Sequence, residues 1–188
     1  MNRGWWLGLS LLALHAQAAD AYRLDAEHTR VSFDVRRFGI PWIGAHFREL
    51  EGAFVLDRSG PDSRIDVTVR TGSITGLEPM WDTLLRSQEW LDTQRFPEMI
   101  YRSTHIAFGE DGGAIAEGEL TLHGVTRPVT LSVRQLDCPD GSNGPGDPGQ
   151  ACAFAAYANI RRSDFGLPHG FWLAGDGVEI SVRGAAFQ

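Results

Sequence analysis

The sequence predicts an all-β protein, an antiparallel barrel or sandwich carrying one short helix, and three observations carry that prediction. Apolar and polar residues alternate along most of the chain, the period of a strand with one dry face and one wet face. Turn signals built on glycine, proline, asparagine and aspartate recur at short, regular spacing, which leaves little room for parallel β-α-β units. A single stretch, residues 79–91, has helical rather than strand periodicity.

In chain order, residues 28–37 form the first strand, with Val31, Phe33 and Val35 on one face and Ser32, Asp34 and Arg36 on the other. Pro41 ends it, because proline cannot join a central ladder. Residues 43–57 read as one long strand bent near Gly52, and residues 64–71 direct Ile65, Val67 and Val69 inward. In residues 79–91, Trp81, Leu84 and Leu85 fall at i, i+3 and i+4 and Leu91 lies close to the same side, so this amphipathic helix covers an open end of the sheet. Residues 99–103 and 105–109 read as two strands, followed by a glycine turn at 110–113. The next two strands carry Leu120 and Leu122 on one arm and Val129, Leu131 and Val133 on the other, around a turn built on Gly124 and Pro128. Residues 153–161 and 177–187 complete a set of eight or nine strands.

Residues 1–18 read as an export signal. Arg3 gives a short positive start, residues 5–14 an apolar run too short to span a bilayer, and Ala16-Gln17-Ala18 the small-x-small pattern of a cleavage site. An uncleaved anchor is the alternative. The mature domain then covers residues 19–188, large enough for a sizeable core, and its expected location is the periplasm. The formal net charge is −7, which argues against nucleic-acid partners and against electrostatic docking on anionic lipid. Every basic residue is arginine, so Schiff-base chemistry through lysine is excluded. Cys138 and Cys152 bracket a segment dense in glycine and proline. In an exported chain they read as one disulfide closing that loop, with an inert free pair as the alternative.

Sites for chemistry are sparse. His28, His46, His105, His123 and His169 lack the close spacing of a metal pair, and His123 reads as a turn residue bonded to backbone. There is no nucleophile elbow and no phosphate-cradling glycine motif. Glu117 and Glu119 share a strand face, but their neighbours make it a solvated outer one. Asp137, Asp140, Asn143 and Asp147 do not follow the spacing of a calcium loop. The expectation is therefore no catalysis, no metal and no cofactor. What the pattern offers instead is an apolar interior, from Phe33, Val35, Phe47, Ile65, Val67 and Val69 on the N-terminal strands to Leu120, Leu122, Val129, Leu131, Phe154 and Ile180 on the later ones. An eight-stranded barrel of this size is either filled by such residues or holds one small ligand, and periodicity does not choose between the two.

Several runs in order make the chain resemble the YceI-like family of periplasmic polyisoprenoid-binding proteins. They are His28-Thr29 before the first strand, Gly44, Phe47 and Glu51-Gly52 in the second region, and Leu85-Arg86-Ser87, Leu91-Asp92, Phe96-Pro97 and Ser103 after it. The run from His123 to Pro128 and the run Arg162-Ser163-Asp164-Phe165-Gly166 follow. The resemblance implies an eight-stranded, lipocalin-like antiparallel barrel with the helix near a barrel mouth, enclosing a long isoprenoid or other amphiphile. It departs from the family at Leu84, where a histidine is common, and at Trp90-Leu91, which replaces the usual aromatic after the Leu-Arg-Ser run.

On that basis the ligand-binding residues are expected to be Phe33, Val35, Phe47, Trp81, Leu84, Leu85, Arg86, Trp90, Leu120, Leu122, Phe154 and Arg162. The two arginines can fork bonds onto a phosphate or carboxylate, or donate to a quinone oxygen. Their structural alternatives are a bond from Arg86 to a loop carbonyl and a local pair between Arg162 and Asp164. The partner expected is an apolar small molecule: an isoprenoid quinone, a polyprenyl phosphate, or a fatty amide or acid. A filled barrel that docks on a membrane redox protein is the competing reading. The oligomeric state is left open between a monomer and a homodimer.

Overall fold

Three interrupted strands and five continuous ones close into an antiparallel barrel of eight staves. The computed structural model describes residues 20–37, 40–58, 61–76, 79–138, 151–167 and 175–188. The expected export signal, His169 and most of the loop between the cysteines lie outside the described residues. In chain order the strands are β1 (Asp20–Leu24), β2 (Arg30–Arg37), β3 (Ile40–Phe47), β4 (Leu50–Leu56), β5 (Arg64–Arg70) and the short β6 (Ile74–Thr75). After the helix α1 (Pro79–Arg86) come β7 (Glu98–Phe108), β8 (Ala114–Leu122), β9 (Val125–Asp137), β10 (Cys152–Arg161) and β11 (Gly177–Phe187).

The ring runs β1, β4, β5, β7, β8, β9, β10, β11 and back to β1. β1 and β2 form one stave, since both pair with β11, β3 and β4 form the next, and β5 and β6, which pair with β4 and β3, form the third. Between β1 and β2 the chain bulges outward over Asp25–His28, and the seam is stitched by the Asp25 N–H (2.9 Å) and the Thr29 hydroxyl (3.1 Å), both donating to the Ala185 carbonyl. The expected single strand over 43–57 is broken between β3 and β4. There the N–H groups of Arg48 and Glu49 leave the ladder and donate to Ser73 Oγ at 3.2 and 3.0 Å. Pro41 does not end a strand as expected. It sits inside β3 opposite Arg36, and β3 meets β6 only at its other end, through His46 and Phe47. A missing N–H is tolerated on such an outer stretch.

The two short strands expected over 99–109 are one strand, β7. Ser103 pairs with Gly118 and His105 with Glu117, so Thr104 is an inserted residue that flips the alternation. Met99 and Tyr101 thus share an inner face with Ile106 and Phe108. A second such bulge at Arg134 in β9 brings Val133 and Leu136 to the same side. The β8–β9 turn is His123-Gly124, with φ of 52° and 72°, the two positive values that a tight primed turn requires. Pro128 is not part of it. Pro128 lies within β9 opposite Glu119, where β9 has no β10 partner, since that pairing covers only residues 132–137. The His123 ring packs on Phe96, with centroids 4.4 Å apart, in place of the expected backbone bond.

α1 starts at Pro79, a residue well suited to the first helical position. It is fastened to the segment beneath it by two side chains one turn apart. The Asp82 carboxylate accepts from the Gly76 N–H (2.6 Å) and Thr75 Oγ1 (3.1 Å), and the Gly76 bond chiefly holds its pKa below the usual carboxylate value. Arg86 donates through Nε to the Gly72 carbonyl (2.9 Å) and through Nη2 to the Ile74 carbonyl. The helix ends at Arg86, not at residue 91. The N–H and Oγ of Ser87 both turn back to the Leu84 carbonyl (3.1 and 2.7 Å), which tightens and stops the helix. Trp90 and Leu91 are therefore delivered by the turns that follow.

Tyr101 shows how closely the wall is fitted. Its phenol lies across β8, with the hydroxyl donating to the Ala116 carbonyl (2.9 Å) and lying 3.3 Å from that of Val129. This fits because residue 118 is glycine: a Cβ there would stand 2.7 Å from the Tyr101 oxygen and 2.4 Å from the Arg102 carbonyl. Burial, and secondarily the nearby Glu117, push the Tyr101 pKa up to about 12. Cys138 and Cys152 form a disulfide, tying the end of β9 to the start of β10 beside Tyr22, Phe54 and Phe154.

Replacing Gly118 by alanine is expected to cost about 1–3 kcal/mol, because neither backbone nor phenol can withdraw, measured by denaturant melts. Tyr101 has a folded-state pKa above the ordinary 10.0, so its contribution to stability is complete below pH 10 and is lost as pH rises through about 12. Melts across that window should show a steeper loss in the parent protein than in Tyr101→Phe; equal slopes would refute the assignment. Reducing the disulfide should lower Tm, by the equivalent of ~3 kcal/mol on the chain-entropy account of a loop this long. Alkylation of the unreduced, unfolded protein should find no thiol.

Candidate functional site

The inner faces of the staves bound two cavities that lie end to end. The larger, of about 110 Å³ as the space that the centre of a water molecule can occupy, is walled by Ile65, Val67 and Val69 from β5, Leu120 from β8, Val129 and Leu131 from β9, and Phe154 and Ala158 from β10. The smaller, of about 60 Å³ on the same measure, lies towards the helix and is walled by Phe33, Val35, Phe47, Leu85, Trp90, Leu122 and Arg162. Both share Val31, Met99 and Ile180, so these three form a waist between them. The larger chamber stays partly open because inward positions beside it carry small residues: Ala114 on β8, and Ala156 and Ala158 on β10. In a wall of fixed circumference, such residues cannot reach the axis.

The expected site residues therefore divide. Leu120 and Phe154 face the larger cavity, and Phe33, Val35, Phe47, Leu85, Trp90, Leu122 and Arg162 face the smaller. Trp81 and Leu84 pack from α1 against the core without reaching either cavity, and Leu84 also borders the outer surface of the helix. Arg86 is engaged in clamping α1, the loop-carbonyl role foreseen as its structural alternative.

Arg162 does not take the local pair with Asp164 that was its structural alternative. Its neighbour Arg161 takes Asp164, through Nε to Oδ2 (3.1 Å) and Nη2 to Oδ1 (3.2 Å), on the outside of the barrel. Successive residues of an extended strand point to opposite faces, so Arg162 turns inward where Arg161 turns out. Arg162 is only 2% exposed, with its guanidinium 4.5 Å above the Trp90 ring and Nη1 donating to the Gly175 carbonyl at 3.4 Å. Burial lowers its pKa from the ordinary arginine value, while Asp176 acts in the opposite sense. The Asp176 carboxylate accepts from the Ser163 N–H (2.8 Å) and Ser163 Oγ (2.7 Å). Phe165, 1% exposed, anchors the same short 3₁₀ turn (Arg162–Phe165) in the core. Each residue of the Arg-Ser-Asp-Phe run thus has its own task in setting one buried cation at the helix end of the space.

Tyr101, Met99 and Ala158 are cavity residues that the sequence pattern did not single out. For Met99 and Tyr101 the signal was present, as alternation upstream of the Thr104 phase flip. An inward alanine gives no hydropathy signal of its own.

The comparisons agree with this architecture. A family model described as a YceI-like domain matches residues 22–186. The protein named YceI from Salmonella arizonae is 32% identical over 186 residues, covering 96% of this chain and 95% of that one. Among solved structures, BcnA of Burkholderia cenocepacia superposes with a TM-score of 0.75 at 19% identity, over 88% of this chain and 99% of that one. A polyisoprenoid binding domain from Saccharophagus degradans, implicated in plant cell wall breakdown, gives 0.62 at 15% identity, over 88% and 97%. At these identities the two structures speak for the shared barrel. With the family model spanning nearly all of the described barrel and a relative matched along almost its whole length, the chain belongs to the YceI-like family.

Proposed function

We propose that this protein is a non-catalytic carrier that binds one long apolar chain, an isoprenoid or a similar amphiphile such as a fatty acid or amide, along the barrel axis in the periplasm. The observation that carries the reading is the pair of adjoining interior chambers, walled almost wholly by hydrocarbon. A space of that kind gains nothing from water and favours any chain that removes its own surface from solvent, at about 25 cal/mol per Å². The polyisoprenoid binding domain among its structural neighbours supports the ligand class. The export-type N-terminus and the disulfide support the compartment. No cofactor is required for such a role.

Native mass spectrometry of the protein expressed with its own N-terminus, followed by organic extraction, should recover a lipid-sized adduct at one per chain. A clean unliganded mass and an empty extract would instead favour an interaction module that docks on a membrane redox partner. Ala158→Phe supplies the complementary test, since it places a ring in the larger chamber. Lipid binding should weaken by roughly tenfold or more with Tm unchanged. A loss of stability of about 1–3 kcal/mol would mean that the interior is already filled.

A further inference from the structure

The interior is chemically asymmetric, and we infer that it orients its ligand: the polar head, a neutral oxygen acceptor such as a hydroxyl or carbonyl, lies against Arg162 and Trp90 at the helix end, and the tail runs past the waist towards Phe154 and Leu136. This inference rests on the binding reading above and adds to it the direction of the chain and the chemistry of its head.

Among the described residues walling the two chambers, Arg162 is the charged one. Among its described residues the larger chamber offers one hydroxyl, that of Tyr101, and its proton is already directed at the Ala116 carbonyl within the wall. A head group placed there would lose its bonds to water and gain no strong donor. At the other end a guanidinium, which carries only donors, is held on the Trp90 face and borders the cavity. Bonds from a charged donor are about twice as strong as neutral ones, so an acceptor gains most at this end.

The local charge sets the class of head. Arg162 acts in the field of Asp176, and the Ser163 N–H and hydroxyl hold that carboxylate in its place. The cation and carboxylate together are close to neutral. A phosphate entering beside them would bring uncompensated negative charge into an apolar chamber, whereas a hydroxyl or carbonyl brings none.

Two measurements test this. Farnesol, farnesyl phosphate and the headless hydrocarbon farnesane are titrated against the parent protein and Arg162→Met. The parent should bind farnesol more tightly than farnesyl phosphate. The variant should lose roughly tenfold for farnesol and change by less than about threefold for farnesane. Tighter binding of the phosphate, or an equal loss for farnesol and farnesane, overturns the inference. The second measurement needs only the parent protein and so stands even if the variant does not fold. Farnesol analogues carrying a diazirine beside the hydroxyl or at the far end are photolysed and their adducts mapped. The head label should mark Trp90, Leu91 and Leu167, and the tail label Phe108, Leu136 and Phe154; the reverse pattern overturns it. Failure of the parent to bind any of the three ligands would instead refute isoprenoid binding itself.

Discussion

Every stave of the barrel turns one face to the same interior, and the burial of those faces is what the remaining structure depends on. Shifting one strand by one residue would exchange its apolar and polar faces, so each strand holds its register against both neighbours. The chain keeps this parity over long runs, as in Ile65, Val67 and Val69, or Val178, Ile180 and Val182. It departs from parity at defined places, the extra residues Thr104 and Arg134. There the strand bends and then presents its apolar face inward again. The bulges give the sheet its curvature and preserve a continuous dry lining.

The hollow interior follows from where bulk is placed. Large residues stand at the waist and at the helix end, while Ala114, Ala156 and Ala158 leave room further on. Had those positions carried leucine, the same ladder would have enclosed a filled core. The helix end is shaped differently, by loops fastened through polar contacts: Arg86 and Asp82 under α1, Ser73 beneath the break between β3 and β4, and the Ser163–Asp176 bonds behind Arg162. One end of the space is a sheet wall and the other a set of tethered turns.

Much of this was legible in the sequence. All the residues assigned inward by alternation wall one chamber or the other, because period-2 patterning reports directly which face is dry. The disulfide and the helix near one mouth were legible too. The features that escaped depend on tertiary neighbours. A phase flip at Thr104 looks like a strand boundary until Gly118 and Glu117 are seen opposite it. Apolar periodicity runs on to Leu91, yet the helix stops where Ser87 takes the Leu84 carbonyl. In Arg161-Arg162 the two residues are chemically identical. Only the strand register decides which meets Asp164 outside and which meets Trp90 within.

The seam joining β1 to β11 has a consequence for how the molecule is made. Its partners, Arg23 with Phe187 and Leu24 with Ala186, come from the two extremes of the barrel sequence. No closed ring exists until the last strand is available, however well the hairpins from β7 to β9 form beforehand. Loop-closure entropy makes such distant pairings slow relative to local ones, so assembly ends with the most non-local step. Until that step, β10 and the stave formed by β1 and β2 each present an unpaired edge, and the apolar lining is open to solvent. The final strand thus works as the latch of the barrel, and a chain shortened by those few residues would be left as an open, adhesive sheet.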